Sequence, residues 1–191
     1  MAIIAIMGSL GALLMLWNFP IGIAPAFYKL DLSDVPCLIG SFALGPLCGV
    51  LIVLVKVLIK LLLKPTSTAF VGEITVFCIS AVYCLSASLI YQQQKNRRNA
   101  IKALIISSLI MIFVACAGNY FFIIEAYVQL YDISMETILA MGQAIFPAVD
   151  DKLSFVLCCV LPFNLIKCGI TDVVTFLLYK RISPLLKGIN R

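Results

Sequence analysis

The segment LPFNLIKCGI places an ammonium group, Lys167, one helical turn from an amide, Asn164, deep inside the apolar run 153–179. A lysine in such surroundings needs an anion, a hydrogen-bond network or a ligand with acceptor atoms. Asn119, in CAGNYFF, adds a second amide just ahead of three consecutive aromatics. Glu73, in AFVGEITVF, stands near the start of another apolar run, where headgroup-level placement and a buried role are both open. With Phe19, Phe27, Tyr28, Tyr120, Phe121 and Phe122, these groups offer apolar walls for ring faces and a few polar atoms for a ring edge. That is the chemistry of a pocket for a flat, heteroatom-edged ligand. The sequence holds no histidine, no nucleophile paired with a base and no Walker-type phosphate loop, so an enzyme is not expected. Eight cysteines lie almost entirely in apolar runs without metal-type spacing and read as small hydrophobes, so neither a metal nor a disulfide is expected. Lys56, Lys60 and Lys64 share one helical face and read as side chains snorkelling to the interface. For Asp172, pairing with a neighbouring helix and a direct ligand role stay open.

The elements that must hold these residues are membrane helices. Of 191 residues, 63% are hydrophobic and 12% charged, outside the range of a soluble globular chain. Apolar runs cover 1–17, 35–63, 70–91, 101–124 and 153–179, mostly near the roughly 20 residues a spanning helix needs. An all-α integral membrane protein follows, with one membrane-embedded domain over 1–191. The first run lacks a basic n-region and a cleavage pattern and reads as a retained span. The net charge of +5 lies beside the runs, so it reads as a topology signal and not as a nucleic-acid surface. The cluster Lys95, Arg97, Arg98 and Lys102 and the tail Lys180, Arg181, Lys187 and Arg191 should both be cytoplasmic. The run 35–63 would be about 43 Å long as one helix, against a hydrocarbon core of about 30 Å. Gly45-Pro46 predicts a break into helices over 34–45 and 47–62. That gives six transmembrane helices with both termini cytoplasmic; an unbroken tilted helix would give five. Six places the loop 18–33, the segment LKPTSTAFVGE and the segment 125–152 on the outer face. Within the last, Met135, Ile138, Leu139 and Ile145, after a Ser134 cap, predict an amphipathic helix at the surface.

The loop carries a further signal. FPIGIAPAFYKLDLSDVPCLIGSFALGPLCGV, with its Lys-x-Asp-x-Ser-Asp-x-Pro pattern at Lys29, Asp31, Ser33, Asp34 and Pro36, together with TSTAFVGE, GNYF and PFNLIK, resembles the S components of energy-coupling factor (ECF) vitamin transporters. The likeness covers essentially the whole chain and is to the riboflavin-binding, RibU-type members. Cys37 and Cys168 depart mildly, at positions where small residues are expected. The resemblance implies six helices, a structured first outer loop closing over a vitamin bound near the outer face, and location in the cell membrane. It implies riboflavin as bound substrate and no cofactor. Its partners would be a transmembrane coupling subunit (T component) and two cytoplasmic ATPases, because the chain has no nucleotide site of its own. Asn119 and Lys167 match positions that would contact the flavin ring, with Glu73 and Asn164 beside them. Thr66 and Ser67 would meet the ribityl hydroxyls, and Phe27, Lys29 and Asp31 would contribute from the loop. Ala5, Gly8, Ser9 and Ala12 are spaced for close helix approach and form a candidate subunit interface, with packing inside the chain as the other reading. The alternatives are another flavin such as FMN or another vitamin as ligand, or a structural or signalling membrane subunit.

Overall fold

The computed structural model describes the backbone of residues 1–66, 70–131 and 133–187, and their side chains except at 131 and 180–187. Ser67 and Arg191 lie outside the described residues. Helix α1 (Ala2–Leu16) leads into a loop holding a two-residue antiparallel ladder, β1 (Phe19–Pro20) with β2 (Lys29–Leu30), a small departure from the all-α expectation. Then come α2 (Asp34–Leu44), α3 (Pro46–Leu63), α4 (Val71–Gln93) and α5 (Arg97–Gly118). A π-helical segment, Asn119–Ile123, carries α5 into α6 (Ile124–Tyr131), followed by α7 (Met135–Gln143). A short α8 (Lys152–Phe155) runs through a second π-helical segment, Val156–Val160, into α9 (Leu161–Lys187).

Local chemistry explains the boundaries. Gly45 has φ 104° and ψ 172°, a conformation that only glycine adopts cheaply, and Pro46 follows at the first position of α3, where its missing N–H costs nothing. The break expected at Gly45-Pro46 is therefore present. Asn96 caps α5 by accepting from the Asn99 N–H at 2.8 Å, and Ser134 caps α7 by accepting from Thr137. Asp151 and Ser154 form a reciprocal capping box on α8.

Side-chain registers show how the helices run. Gly49 packs on Ser41 and Ile52 on Gly40, while Lys56 reaches Asp34, so α2 and α3 form an antiparallel hairpin. Lys60 meets Glu73 and Lys56 meets Ser80 between α3 and α4; Asn99 meets Ile90 and Ser108 meets Tyr83 between α4 and α5; Met111 meets Cys168 and Ser108 meets Asp172 between α5 and α9. Each of these pairs is antiparallel. Among the described residues, four stretches are long and apolar enough to cross a membrane: Pro46–Leu63, Val71–Gln93, Arg97–Leu130 and Lys152–Tyr179. Helices α1 and α2 are apolar but shorter, and the 11 residues of α2 rise about 16 Å.

Two apolar clusters form the core. One joins α2, α3, α4, α5 and α9 around Leu38, Ile52, Tyr83 and Met111; the other sits at one end, around Ile124, Ile138, Val149 and Phe155. The second cluster is where the stripe expected on α7 goes: Ile138 is buried and Met135 and Leu139 are partly so, packed on α8 and its approach. Gly142 lets α7 come close, since a Cβ there would lie 2.7 Å from the Phe155 ring.

Candidate functional site

At the end of the bundle holding this second cluster, the last turn of α1, the loop 18–33, the end of α3 and the starts of α4 and α9 surround a cavity of about 300 Å³. Phe27, Tyr127, Phe163, Val76, Ile79 and Met111 supply apolar wall. Asn119, Asn164, Lys167, Glu73, Lys29 and Asp31 all line it, so residues far apart in sequence meet at one place. Thr66 stands behind Glu73, to which its hydroxyl donates at 2.9 Å.

Asn119 is buried at the first position of the π-helical segment, where the changed turn rotates its side chain relative to a continuous α-helix. Its Nδ2 donates to the Ala115 carbonyl at 2.8 Å, which fixes the amide orientation, and its Oδ1 accepts from the Tyr28 hydroxyl at 2.5 Å. The Tyr28 ring lies 4.7 Å from that of Phe27 and 5.4 Å from that of Phe163. Burial pushes the Tyr28 phenol well above its ordinary pKa, so it remains a neutral donor. Asn164, also buried, donates from Nδ2 to the Val160 carbonyl at 2.8 Å.

The charged groups form two sets. Lys167 lies 3.5 Å from Asp31 Oδ2 and 3.7 Å from Asp34 Oδ2. Asp34 Oδ1 accepts from Lys56 Nζ and from Ser80 Oγ, each at 2.6 Å, and Asp31 Oδ1 accepts from the Ser33 N–H at 2.8 Å. The motif Lys29-x-Asp31-x-Ser33-Asp34 thus supplies the counter-ions of two lysines on α3 and α9, and the set of Asp31, Asp34, Lys56 and Lys167 is neutral. At the rim, Lys60 donates to Glu73 at 2.6 Å.

Three expectations change. Lys56 does not snorkel: its side chain is fully buried, held by Asp34, Ser33 and Ser80. Lys60 likewise turns to Glu73. The third concerns Ala5, Gly8, Ser9 and Ala12, where the sequence leaves a subunit interface and packing inside the chain both open. Gly8 and Ala12 are buried within the chain, and a Cβ on Gly8 would lie 2.5 Å from Val55 Cγ1 of α3, so their close approach is internal. Ser9 is half-buried and Ala5 exposed.

Sequence reasoning missed the roles of Lys56, Lys60 and Ser80 and found no partner for Asp34, although the loop motif contains it. The available signal was the high cost of a lysine in an apolar run, which calls for a carboxylate partner. That partner is 22 residues away and becomes visible only through the hairpin at Gly45.

Comparison with known proteins agrees with this architecture. The family described as "ECF transporter, substrate-specific component" matches residues 1–179. The riboflavin transporter RibU of Staphylococcus aureus (strain TCH60) is 28% identical, the match covering 97% of this chain and 91% of that protein. The riboflavin transporter FmnP of Bacillus subtilis (strain 168) is 24% identical over 96% of this chain and 92% of its own. A solved structure described as "Structure and mechanism of the S component of a bacterial ECF transporter" superposes with a TM-score of 0.75 at 30% identity, covering 97% of this chain and 96% of that one. On the extent of the family match, the chain belongs to the substrate-specific (S) components of ECF transporters.

Proposed function

We propose that this chain is the riboflavin-binding S component of an ECF transporter, a multi-pass protein of the cell membrane that captures the vitamin for uptake and is not an enzyme. The observation that carries the reading is the cavity of about 300 Å³ in which aromatic walls meet amide and ammonium donors, in a chain of this family whose relatives are riboflavin transporters over nearly their full length. A flavin has apolar ring faces and an edge of carbonyl and nitrogen acceptors. Asn119 and Lys167 are the donors for that edge, with Asn164 and Glu73 beside them. Phe27, Lys29 and Asp31 contribute from the loop, and Thr66 and Ser67 are assigned to the ribityl hydroxyls.

The chain acts as one membrane-embedded domain over 1–191 with six passes, α1, α2, α3, α4, the α5–α6 helix and the α8–α9 helix, and both termini cytoplasmic. The antiparallel registers support this, as does the basic cluster Lys95, Arg97, Arg98 and Lys102 at the end opposite the cavity. The cavity then opens outward. The partners follow from family membership: a transmembrane coupling subunit and two cytoplasmic ATPases supply the energy. Because Gly8 and Ala12 are turned inward, the part of the expected interface that α1 still offers is Ala5, with half-buried Ser9.

The test is direct. Protein purified in detergent from riboflavin-grown cells should carry flavin absorbance, and protein stripped of it should quench riboflavin fluorescence with saturable one-to-one stoichiometry. A stripped, folded protein that leaves riboflavin fluorescence unchanged would refute the reading.

A further inference from the structure

One turn beneath the cavity, three helices contribute one side chain each to a closed ring of oxygens. Ser80 and Met111 border the cavity; Tyr83 follows Ser80 by three residues on α4, Ser108 precedes Met111 by three on α5, and Asp172 follows Lys167 by five on α9. The Tyr83 hydroxyl lies 2.5 Å from Asp172 Oδ1, Ser108 Oγ lies 2.6 Å from Asp172 Oδ2, and the two hydroxyl oxygens are 3.0 Å apart. Tyr83 and Ser108 are buried and Asp172 is half-buried. None of the three lines the cavity.

Among the described residues the surroundings offer no compensating cation. Among the described residues Asp172 makes no ion pair. On α2, Asp34 is taken by Lys56 and the Cys37 thiol points to the Ser33 carbonyl. Lys167 lies with Asp31 and Asp34. On α5, the Arg97 guanidinium sits over the Phe176 ring, 5.2 Å from its centroid, and on α9 itself the neutral Cys168 thiol lies between Met111 and Ser108, beside Asp172. The titratable group that α4 turns to Asp172 is the Tyr83 phenol.

Counting hydrogens separates the two protonation states. Three oxygen–oxygen contacts close the ring, and each needs one hydrogen. If the carboxylate is ionised, Tyr83 and Ser108 both donate to it, and their own contact is left with lone pairs facing lone pairs. If Oδ2 carries a proton, the bonds run once around: Asp172 Oδ2–H donates to Ser108 Oγ, the Ser108 O–H donates to Tyr83, and the Tyr83 O–H donates to Asp172 Oδ1. Every member then donates once and accepts once. The two shorter contacts suit either form; the third is a hydrogen bond in the protonated one alone. We propose that Asp172 is a proton-binding site, and that the bound proton completes a clamp joining α4, α5 and α9 under the cavity.

Infrared spectroscopy of the purified protein at neutral pH tests this. The expected result is a carboxylic-acid carbonyl band that shifts in heavy water, shifts with isotope-labelled aspartate and disappears in Asp172→Asn. That variant should melt with the wild type, because an amide N–H replaces the acid O–H in the ring, whereas Asp172→Ala should melt lower. Absence of an acid band overturns the proposal, as does a band that aspartate labelling does not move or that survives Asp172→Asn. The labelling arm reads the wild-type protein, so a band that it leaves unmoved overturns the proposal even if a variant fails to fold, and Asp172→Glu, whose acid band aspartate labelling would not move, assigns a moved band to this position.

Discussion

Lys167 lies 3.5 Å and 3.7 Å from two carboxylates, far enough that a ligand acceptor at ordinary hydrogen-bond distance competes with both. Asn119 is held differently, with its amide orientation set by Ala115 and Tyr28. Substitution of each should therefore weaken riboflavin binding by different amounts. Asn119→Ala removes a neutral contact, about 0.5 to 1.5 kcal/mol, and Lys167→Ala a charge-assisted one, about 1.5 to 3 kcal/mol. Fluorescence titration of the purified variants reads both; affinities equal to wild type in the two would remove them from the site. Lys56 plays another part. With its side chain fully buried against Asp34, Lys56→Met leaves a carboxylate without its nearest partner and should destabilise the fold by about 3 to 5 kcal/mol, seen as a lowered melting temperature in detergent. A snorkelling lysine would melt unchanged. Of these residues Asn119, Asn164 and Lys167 are legible in the sequence because a polar group in an apolar run is conspicuous by itself. Which carboxylate answers which lysine is not, because that depends on how two helices fold back on one another.

At the scale of elements, the helical hairpin of α2 and α3 rests on Gly45. Its φ of 104° and ψ of 172° fall where a side chain is strained, so Gly45→Ala should cost about 1 to 3 kcal/mol, measured as earlier thermal unfolding. The Cβ would also meet Gln92 Nε2 at 2.9 Å, but that is the end of an exposed, flexible side chain and can move. Gly8 tests the packing of α1 on α3. Gly8→Leu must displace Val55, whose Cγ1 and Cβ would lie 2.5 Å and 2.7 Å from the new Cβ, and overpacking of this kind costs about 1 to 3 kcal/mol. Ala5→Leu, on an exposed position, should leave melting unchanged. Equal melting of all three proteins would mean that Gly8 is not an internal contact. The break at Gly45 is readable because glycine before proline acts locally, and the caps at Ser134 and Asn96 are local in the same way. The π-helical segments at Asn119–Ile123 and Val156–Val160 are not readable, since nothing in NYFFI or VLCCV distinguishes them from α-helix by composition. Tertiary packing imposes them, and one of them begins at the residue that turns toward Tyr28.

For the molecule as a whole, everything assigned to the cavity depends on which side of the membrane it faces. The antiparallel registers carry the chain back and forth so that the loop 18–33, the start of α4 and the segment containing α7 share one end, while Asn96 and Arg97 lie at the other. In the proposed topology, positive charge at the second end orients it inward, with the cavity outside. A single cysteine at Gly22, in a background cleared of the eight native thiols, is a suitable probe because that position is exposed and a Cβ there would meet nothing within 4 Å. Ser33 is unsuitable despite its place beside the same loop, being buried with its hydroxyl on Lys56. On intact cells an impermeant maleimide should label Gly22→Cys and Met141→Cys, and should reach Gln94→Cys or a cysteine placed before Met1 only after the membrane is opened. Five passes would reverse the result at Gly22 and at the N-terminus while leaving Met141 and Gln94 unchanged, so the pair that decides is internal to the same set of labelling reactions. Labelling of the N-terminal cysteine on intact cells, with Gly22→Cys protected, would put the loop on the cytoplasmic side. The ion pairs linking Asp31 and Asp34 to Lys167 and Lys56 would then have to close the cavity from within, and a vitamin could not enter from outside past Phe27 and Tyr28.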